Sequence, residues 1–84
     1  MTIEQIVKFL TNHPDDINKP VKISFKTRNT LEGLFIRTVD FDELKSKNFW
    51  RIVTPSNMEN YKKTKDSRLA KLFHGVEFTK LSSK

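Results

Sequence analysis

The sequence has no cysteine and only two glycines among its 84 residues, and both features narrow the classes of protein that it encodes. Without cysteine there is no disulfide and no thiolate metal site, which fits a reducing compartment, so we expect a cytoplasmic protein. With two glycines the chain cannot carry the Gly-x-Gly-x-x-Gly loop that cradles a dinucleotide pyrophosphate. We therefore expect no dinucleotide, and the sequence indicates no other cofactor.

Long apolar runs are missing, and acidic residues are outnumbered. No apolar stretch approaches the roughly 20 residues that a membrane-spanning helix needs. The N-terminus lacks the basic and then apolar order of a secretory signal, so we expect neither a membrane nor a secreted protein.

The net charge is +6 and uneven, because residues 62–84 hold seven Lys/Arg and two Asp/Glu whereas residues 1–61 hold nine and eight. A basic segment of this kind favours a polyanionic partner.

The residues that are present predict one mainly β domain over residues 1–84. Thr2 and Gln5 have the spacing of a helix capping box, and apolar residues follow at helical intervals up to Pro14, which predicts a helix over residues 2–12. The apolar period then changes to two, so we expect a strongly bent five-stranded antiparallel sheet or a small barrel. The predicted strands are 20–27, 30–40, 48–54, 70–74 and 76–81.

One long segment leaves two structures open. Ser56 and Glu59 repeat the capping-box spacing directly after Pro55, which favours one or two helical turns in residues 55–70. The same residues fit a long basic hairpin loop equally well.

Phe49 and Trp50 are adjacent in the third predicted strand, where neighbouring side chains point to opposite faces. Trp50 and Ile52 are expected to fill the core, so Phe49 and Val53 face outward. Monomers seldom leave large apolar patches exposed, and we therefore expect a second subunit or a partner to cover them. The candidate interface residues are Phe49, Val53 and Phe35.

No set of catalytic residues is recognisable. Tyr61 and Lys65 have the Tyr-x-x-x-Lys spacing of short-chain dehydrogenases, but the glycine loop and the parallel βαβ unit of those enzymes are missing, so we attribute the match to chance. Asp40, Asp42 and Glu43 lack the turn glycines and converging ligands of a cation site and are interpreted as a solvated turn. We expect a non-enzymatic protein without a bound metal.

Basic residues interleaved with aromatic ones are the feature that indicates a ligand. In complexes with single-stranded nucleic acid, cations follow the phosphates and aromatic rings stack on the bases. The candidate nucleic-acid-binding residues are Tyr61, Lys62, Lys63, Lys65, Arg68, Lys71, Arg51 and His74.

Two stretches resemble the motifs of Sm-like proteins. LFHGVEFTKL, residues 72–81, resembles the second motif, and VKISFKTRNTLEGLFIRTVDFD, residues 21–42, resembles the first. The resemblance implies an Sm-like or SH3-like fold, assembly into rings through edge strands, and RNA binding. The Asn expected four residues after the Asp is Leu44 or Ser46 here, and the Arg expected before the Gly is His74, so the fold carries over better than the RNA pocket.

The chain also resembles small uncharacterised bacterial proteins, some of which are labelled dehydrogenases.

Taken together, the sequence favours a non-enzymatic binding module for single-stranded RNA. The alternative is a protein-interaction or assembly module that forms a homo-oligomer and binds no nucleic acid.

Overall fold

The computed structural model describes residues 1–12 and 19–83, which form an N-terminal helix and a five-stranded antiparallel sheet. In this part of the chain, two further helices and two short 3-10 turns connect the strands. The elements run in the order α1 (Ile3–Asn12), β1 (Val21–Phe25), β2 (Leu31–Phe35), α2 (Phe41–Ser46), β3 (Phe49–Val53), α3 (Pro55–Thr64), a 3-10 turn (Ser67–Leu69), β4 (Lys71–His74), a 3-10 turn (Gly75–Glu77) and β5 (Phe78–Ser83).

Helix α1 begins with the capping box that the sequence predicts. The Thr2 N–H donates to Gln5 Oε1 at 2.9 Å, and the Gln5 N–H donates to Thr2 Oγ1 at 3.2 Å. Each side chain thus satisfies a backbone donor that the first helical turn leaves unpaired. The helix ends at Asn12, and Pro14, which was expected to end it, lies outside the described residues.

The sheet is open. Its strand order is β4-β3-β2-β1-β5, every neighbouring pair is antiparallel, and β4 and β5 are its two edges. The expected N-terminal helix and five-stranded antiparallel sheet are confirmed. Of the two forms considered for the sheet, an open one is found and not a closed barrel.

The sheet is nevertheless bent. The rings of Phe25 in β1 and Phe73 in β4 have centroids 5.9 Å apart, although β2 and β3 lie between the two strands. A flat sheet would separate these strands by about 14 Å, since each step between neighbours is about 4.8 Å. Gly33 of β2 permits close packing here, because a Cβ on it would collide with the side chain of Ile52.

The inner face of the sheet carries the main core, which α1 covers. Trp50 is 1% exposed, and its Nε1–H donates to Asn48 Oδ1 at 2.8 Å, so its one polar group is satisfied. The placement of Trp50 and Ile52 in the core is confirmed. The buried members of this cluster are Ile6, Val21, Ile23, Phe35, Trp50, Ile52, Phe78 and Leu81.

The outer face carries a second and smaller cluster, made of Leu34, Ile36 and Val53. Met58 and Tyr61 of α3 pack on it. The outward-facing apolar residues at this end of the sheet are therefore covered by a helix of the same chain, where the sequence led us to expect a second subunit.

One connection differs from its predicted form, and in another the helix is found, one of the two forms that the sequence left open. Strand β2 ends at Phe35, short of the predicted residue 40, and α2 lies where a polar turn was expected. Residues 55–70 contain a ten-residue helix, not a hairpin loop. That helix has Thr54 as its N-cap and Pro55 at its first position, so Ser56 and Glu59 do not form the predicted capping box.

Candidate nucleic-acid interface

A groove runs beside α3 on the outer face of the sheet. Its floor includes Ile36, and its walls are Tyr61 on one side and residues 37–39, which follow β2, on the other. Two cavities of about 230 and 510 Å³ lie along it. They share Ile36, Arg37, Tyr61 and Lys65, so they form one continuous groove.

Helical spacing explains which side chains of α3 reach the groove. Positions 58, 61 and 62 recur at intervals of three and four, and position 65 continues the same face just beyond the helix. Met58 and Tyr61 pack on the outer apolar cluster. Lys62 and Lys65 line the groove beside them, with their charges exposed at its rim.

Lys65 ends α3 in a left-handed conformation. Its φ is 56°, and its N–H donates to the Tyr61 carbonyl at 2.7 Å. This turn brings the Lys65 Nζ over the Tyr61 ring, 5.5 Å from the centroid, a cation–π contact. The Tyr-x-x-x-Lys spacing thus places the Lys65 ammonium over the face of the Tyr61 ring. The expectation that the chain is not an enzyme stays a prediction.

Arg37 belongs to the groove and was not among the candidates from the sequence. It lines both cavities, and its Cζ lies 5.2 Å from the centroid of the Phe41 ring in α2. The predicted strand over residues 30–40 includes Arg37, two positions after Phe35 and therefore on the same face of that strand. Because β2 ends at Phe35, the alternation of side chains between the two faces of a strand no longer applies at position 37. The signal in the sequence that could have identified Arg37 was a charged residue among apolar positions of the predicted strand.

Two predicted contact residues carry partners of their own instead. Lys63 Nζ lies 3.5 Å from Glu59 Oε1 on the exposed side of α3. Arg68 Nη2 lies 2.9 Å from Asp66 Oδ2, and this hydrogen-bonded pair lowers the pKa of Asp66 and raises the pKa of Arg68. Neither Lys63 nor Arg68 lines the groove.

Arg51 is held by a carboxylate. Its Nη2 donates to Asp40 Oδ2 at 2.7 Å, and the Thr38 hydroxyl donates to Asp40 Oδ1. The hydrogen bond from Arg51, followed by that from Thr38, holds the pKa of Asp40 at about 2, below its usual 3.8. Arg51 therefore ties β3 to the segment that forms one wall of the groove, a positioning role and not a free phosphate contact.

Lys71 and His74 lie on β4, away from the groove. Both side chains are exposed. The His74 ring stacks on Phe49 of the neighbouring strand, with centroids 4.6 Å apart and an interplanar angle of 29°. Of the eight candidate contact residues, the structure thus brings Tyr61, Lys62 and Lys65 together.

The three candidate interface residues are separated by the fold. Phe35 is buried in the inner core and Val53 in the outer cluster, with exposures of 8% and 0%. A partner cannot reach either side chain while the chain is folded. Phe49 alone keeps part of its ring at the surface, against His74.

No protein-family model, curated protein or solved structure matches this chain. Across residues 1–12 and 19–83, the helices are too short or too polar to cross a bilayer. The same residues bring together no group of three or more His, Cys, Asp or Glu side chains that would hold a metal ion. The groove beside α3 is the feature from which a function can be proposed.

Proposed function

We propose that this chain is a cytoplasmic, non-enzymatic module that binds single-stranded RNA along the groove beside α3. The observation that carries the proposal is the grouping of Arg37, Lys62 and Lys65 around the Tyr61 ring, above an apolar floor. In the described part of the chain, none of these three cations forms an ion pair with a carboxylate. They are free to neutralise phosphates.

Single strands fit the groove better than duplexes on chemical grounds. An unpaired base exposes a flat face that stacks on a tyrosine ring, whereas a duplex keeps its bases inside. Cations on both sides of the ring then contact the flanking phosphates. Lys65 covers one face of Tyr61, so a base takes the other face or displaces the ammonium.

We keep the Sm-like assignment as part of this proposal. A helix followed by five antiparallel strands is the element order of those proteins, and the resemblance supports RNA as the ligand class. The pocket residues differ, since Leu44 or Ser46 stands in place of the Asn and His74 in place of the Arg. The proposal therefore places the RNA in the groove beside α3.

The test is RNA binding at several salt concentrations with matched charge variants. The double substitution Lys62→Gln with Lys65→Gln removes two groove cations, and Lys63→Gln with Arg68→Gln removes two that are paired with carboxylates. Both doubles change the net charge equally. Each phosphate contact contributes about −0.7 to the log–log salt slope for single strands, so the groove double should reduce the slope by about 1.4.

The control double should bind a mixed-sequence single-stranded RNA nearly as the parent chain does. Equal losses in the two doubles would mean that net charge alone drives binding and would refute the groove. Absence of binding even at low salt would refute the RNA proposal altogether.

A second function, homo-oligomeric assembly, is favoured by a separate observation. Leu72 on the edge strand β4 is 49% exposed and lies on the same outer face as the Phe49–His74 stack. An edge strand with apolar side chains invites pairing with another chain. Light scattering should then give a mass above 9.9 kDa at micromolar concentration, and Leu72→Glu should restore the monomer.

The matched control for assembly is Val76→Glu, which places the same charge on an exposed apolar residue outside the strands. A parent chain that stays monomeric at high concentration contradicts assembly and leaves a lone binding module.

A further inference from the structure

We propose that Arg28 is the centre of a second nucleotide-binding subsite, on the face of the sheet opposite α3, which takes a nucleotide phosphate and its base. Arg28 lies in the exposed turn between β1 and β2. The proposal extends the proposed function to another surface, but it stands on residues that the groove beside α3 does not use.

The Arg28 guanidinium lies over two aromatic rings. Its Cζ lies 5.1 Å from the centroid of Phe25 and 5.7 Å from that of Phe73. The two rings are themselves tilted at 42° to each other, and Phe25 packs edge-on against the buried Phe78 at 5.3 Å. The rings are therefore anchored to the inner core, and they fix a side chain that would otherwise be mobile in an exposed turn.

A guanidinium held in this way is prepared to bind an anion. Two rings lie beside it, and its N–H groups make no ion pair or hydrogen bond within the described residues. The five N–H donors of arginine form a planar fork that matches the two oxygens of a phosphate. Stacking lowers the entropy cost of forming that pair, because the rotamer is already fixed.

The space beside Arg28 suits a single base. A cavity of about 250 Å³ opens there, lined by Phe25, Thr27, Arg28, Phe73, His74 and Glu77. Pockets for drug-sized ligands begin at about 300 Å³, so this one holds a fragment of that size or smaller. Phe73 offers its ring to a base, whereas the His74 side chain points to the outer face and stacks on Phe49.

Glu77 on the rim gives the subsite a selectivity of its own. Its carboxylate accepts hydrogen bonds from base N–H groups and repels phosphate oxygens. A nucleotide therefore binds in one orientation, with the phosphate toward Arg28 and the base toward Glu77. An orientation of this kind favours one nucleotide over a run of phosphates.

The experiment titrates adenosine monophosphate into the chain and follows the aromatic NMR signals of Phe25, Phe73 and Tyr61. We expect the first two to shift and Tyr61 to respond only at higher concentration. Arg28→Gln and Arg28→Lys should each weaken the binding, Arg28→Gln by about ten-fold or more, since it removes hydrogen bonds to a charged group. Glu77→Gln should bind more tightly and discriminate less between the nucleotide and inorganic phosphate.

The Lys variant separates a shaped site from general attraction. It keeps the charge and loses the planar fork, so binding equal to that of the parent would refute the subsite. Lys26→Gln is the matched control, because it removes a cation from the same exposed turn, and it should bind as the parent does.

The outcomes separate this subsite from the groove beside α3. If RNA binding responds to Lys62 and Lys65 but every Arg28 variant binds the nucleotide as the parent does, the subsite is refuted and the proposed function stands. If RNA does not bind while the nucleotide still shifts Phe25 and Phe73, the proposed function fails and the subsite stands. Equal shifts from inorganic phosphate and the nucleotide would refute the base contact.

Discussion

On the inner face of the sheet α1 contributes Ile6 to a cluster of eight buried residues, whereas on the outer face α3 packs over a cluster of three. Helix α1 buries Ile6 completely, and α3 has no buried residue. Burial of apolar surface is the main favourable term in folding, at about 25 cal/mol per Å². The inner face therefore supplies most of the stability, and α3 keeps a basic side with the Tyr61 ring near the surface.

The basic residues on and near the outer face divide into paired and unpaired ones. Arg51, Lys63 and Arg68 are paired with Asp40, Glu59 and Asp66. The cations around Tyr61 have no such partner among the described residues. Within the described residues, a nearby carboxylate separates the paired cations from the unpaired ones, and the density of basic residues along the sequence does not.

The largest expected difference between the two faces is the loss of stability in Trp50→Ala compared with that in Met58→Ala. Trp50 is the largest fully buried side chain of the inner core, and truncating it should cost about 3–5 kcal/mol of unfolding free energy, enough to abolish folding in a domain of this size. Met58 is only half-buried under α3, so its truncation should cost about 1 kcal/mol. Circular dichroism shows whether each variant folds and urea denaturation measures those that do, and equal losses would show that the two faces contribute alike.

A smaller effect is expected from Asp40→Asn, and it depends on pH. The folded-state pKa of Asp40 is lowered to about 2, so the ionised carboxylate stabilises the fold above pH 4, and that contribution is lost as the pH falls through 2. The Asn variant should be less stable at neutral pH and should lose less on acidification. Thermal melts between pH 7 and 2 test this, and parallel curves for the two chains would show that the pair with Arg51 does not stabilise the fold.

The smallest expected effect is a gain in stability, in contrast to the losses above. Lys65 is a non-glycine residue with φ of 56°, a conformation in which glycine is unstrained. Lys65→Gly should raise the unfolding free energy by up to about 1 kcal/mol and yet weaken RNA binding, because the groove loses a cation. A variant that gains stability and keeps full RNA affinity would remove Lys65 from the interface.

The parts of the fold that the sequence predicts well are those set by local patterns. The capping box of Thr2 and Gln5 forms as expected, and the alternation around Trp50 places the inner core correctly. Both depend on neighbours within a few residues. Helix α2 depends on distant ones instead, since Phe41 packs edge-on against Trp50 and Asp40 pairs with Arg51. A six-residue helix has little stability of its own, so sequence alone did not indicate it.

The sequence identifies those residues of the candidate site that lie on one face of helix α3 or directly after it. Tyr61, Lys62 and Lys65 were identified from their composition, and the spacing from Met58 onward would have placed them on one side of a helix. Arg37 and Arg28 could not be found in this way. One approaches the groove from the end of β2 and the other rests on rings from β1 and β4, so both depend on strand register and on the bend of the sheet.

The pairing of β1 with β5 has a consequence for how the chain folds. Ile23 pairs with Leu81, so almost every other element lies in the loop that this contact closes. Closing long loops costs entropy before the contacts compensate for it, and sheets with such pairings fold in milliseconds to seconds, not microseconds. Until β5 docks, β1 is an unpaired edge beside an open apolar face. Refolding should therefore be slower than that of a helical protein of similar length. The yield of refolded protein should fall as the protein concentration rises.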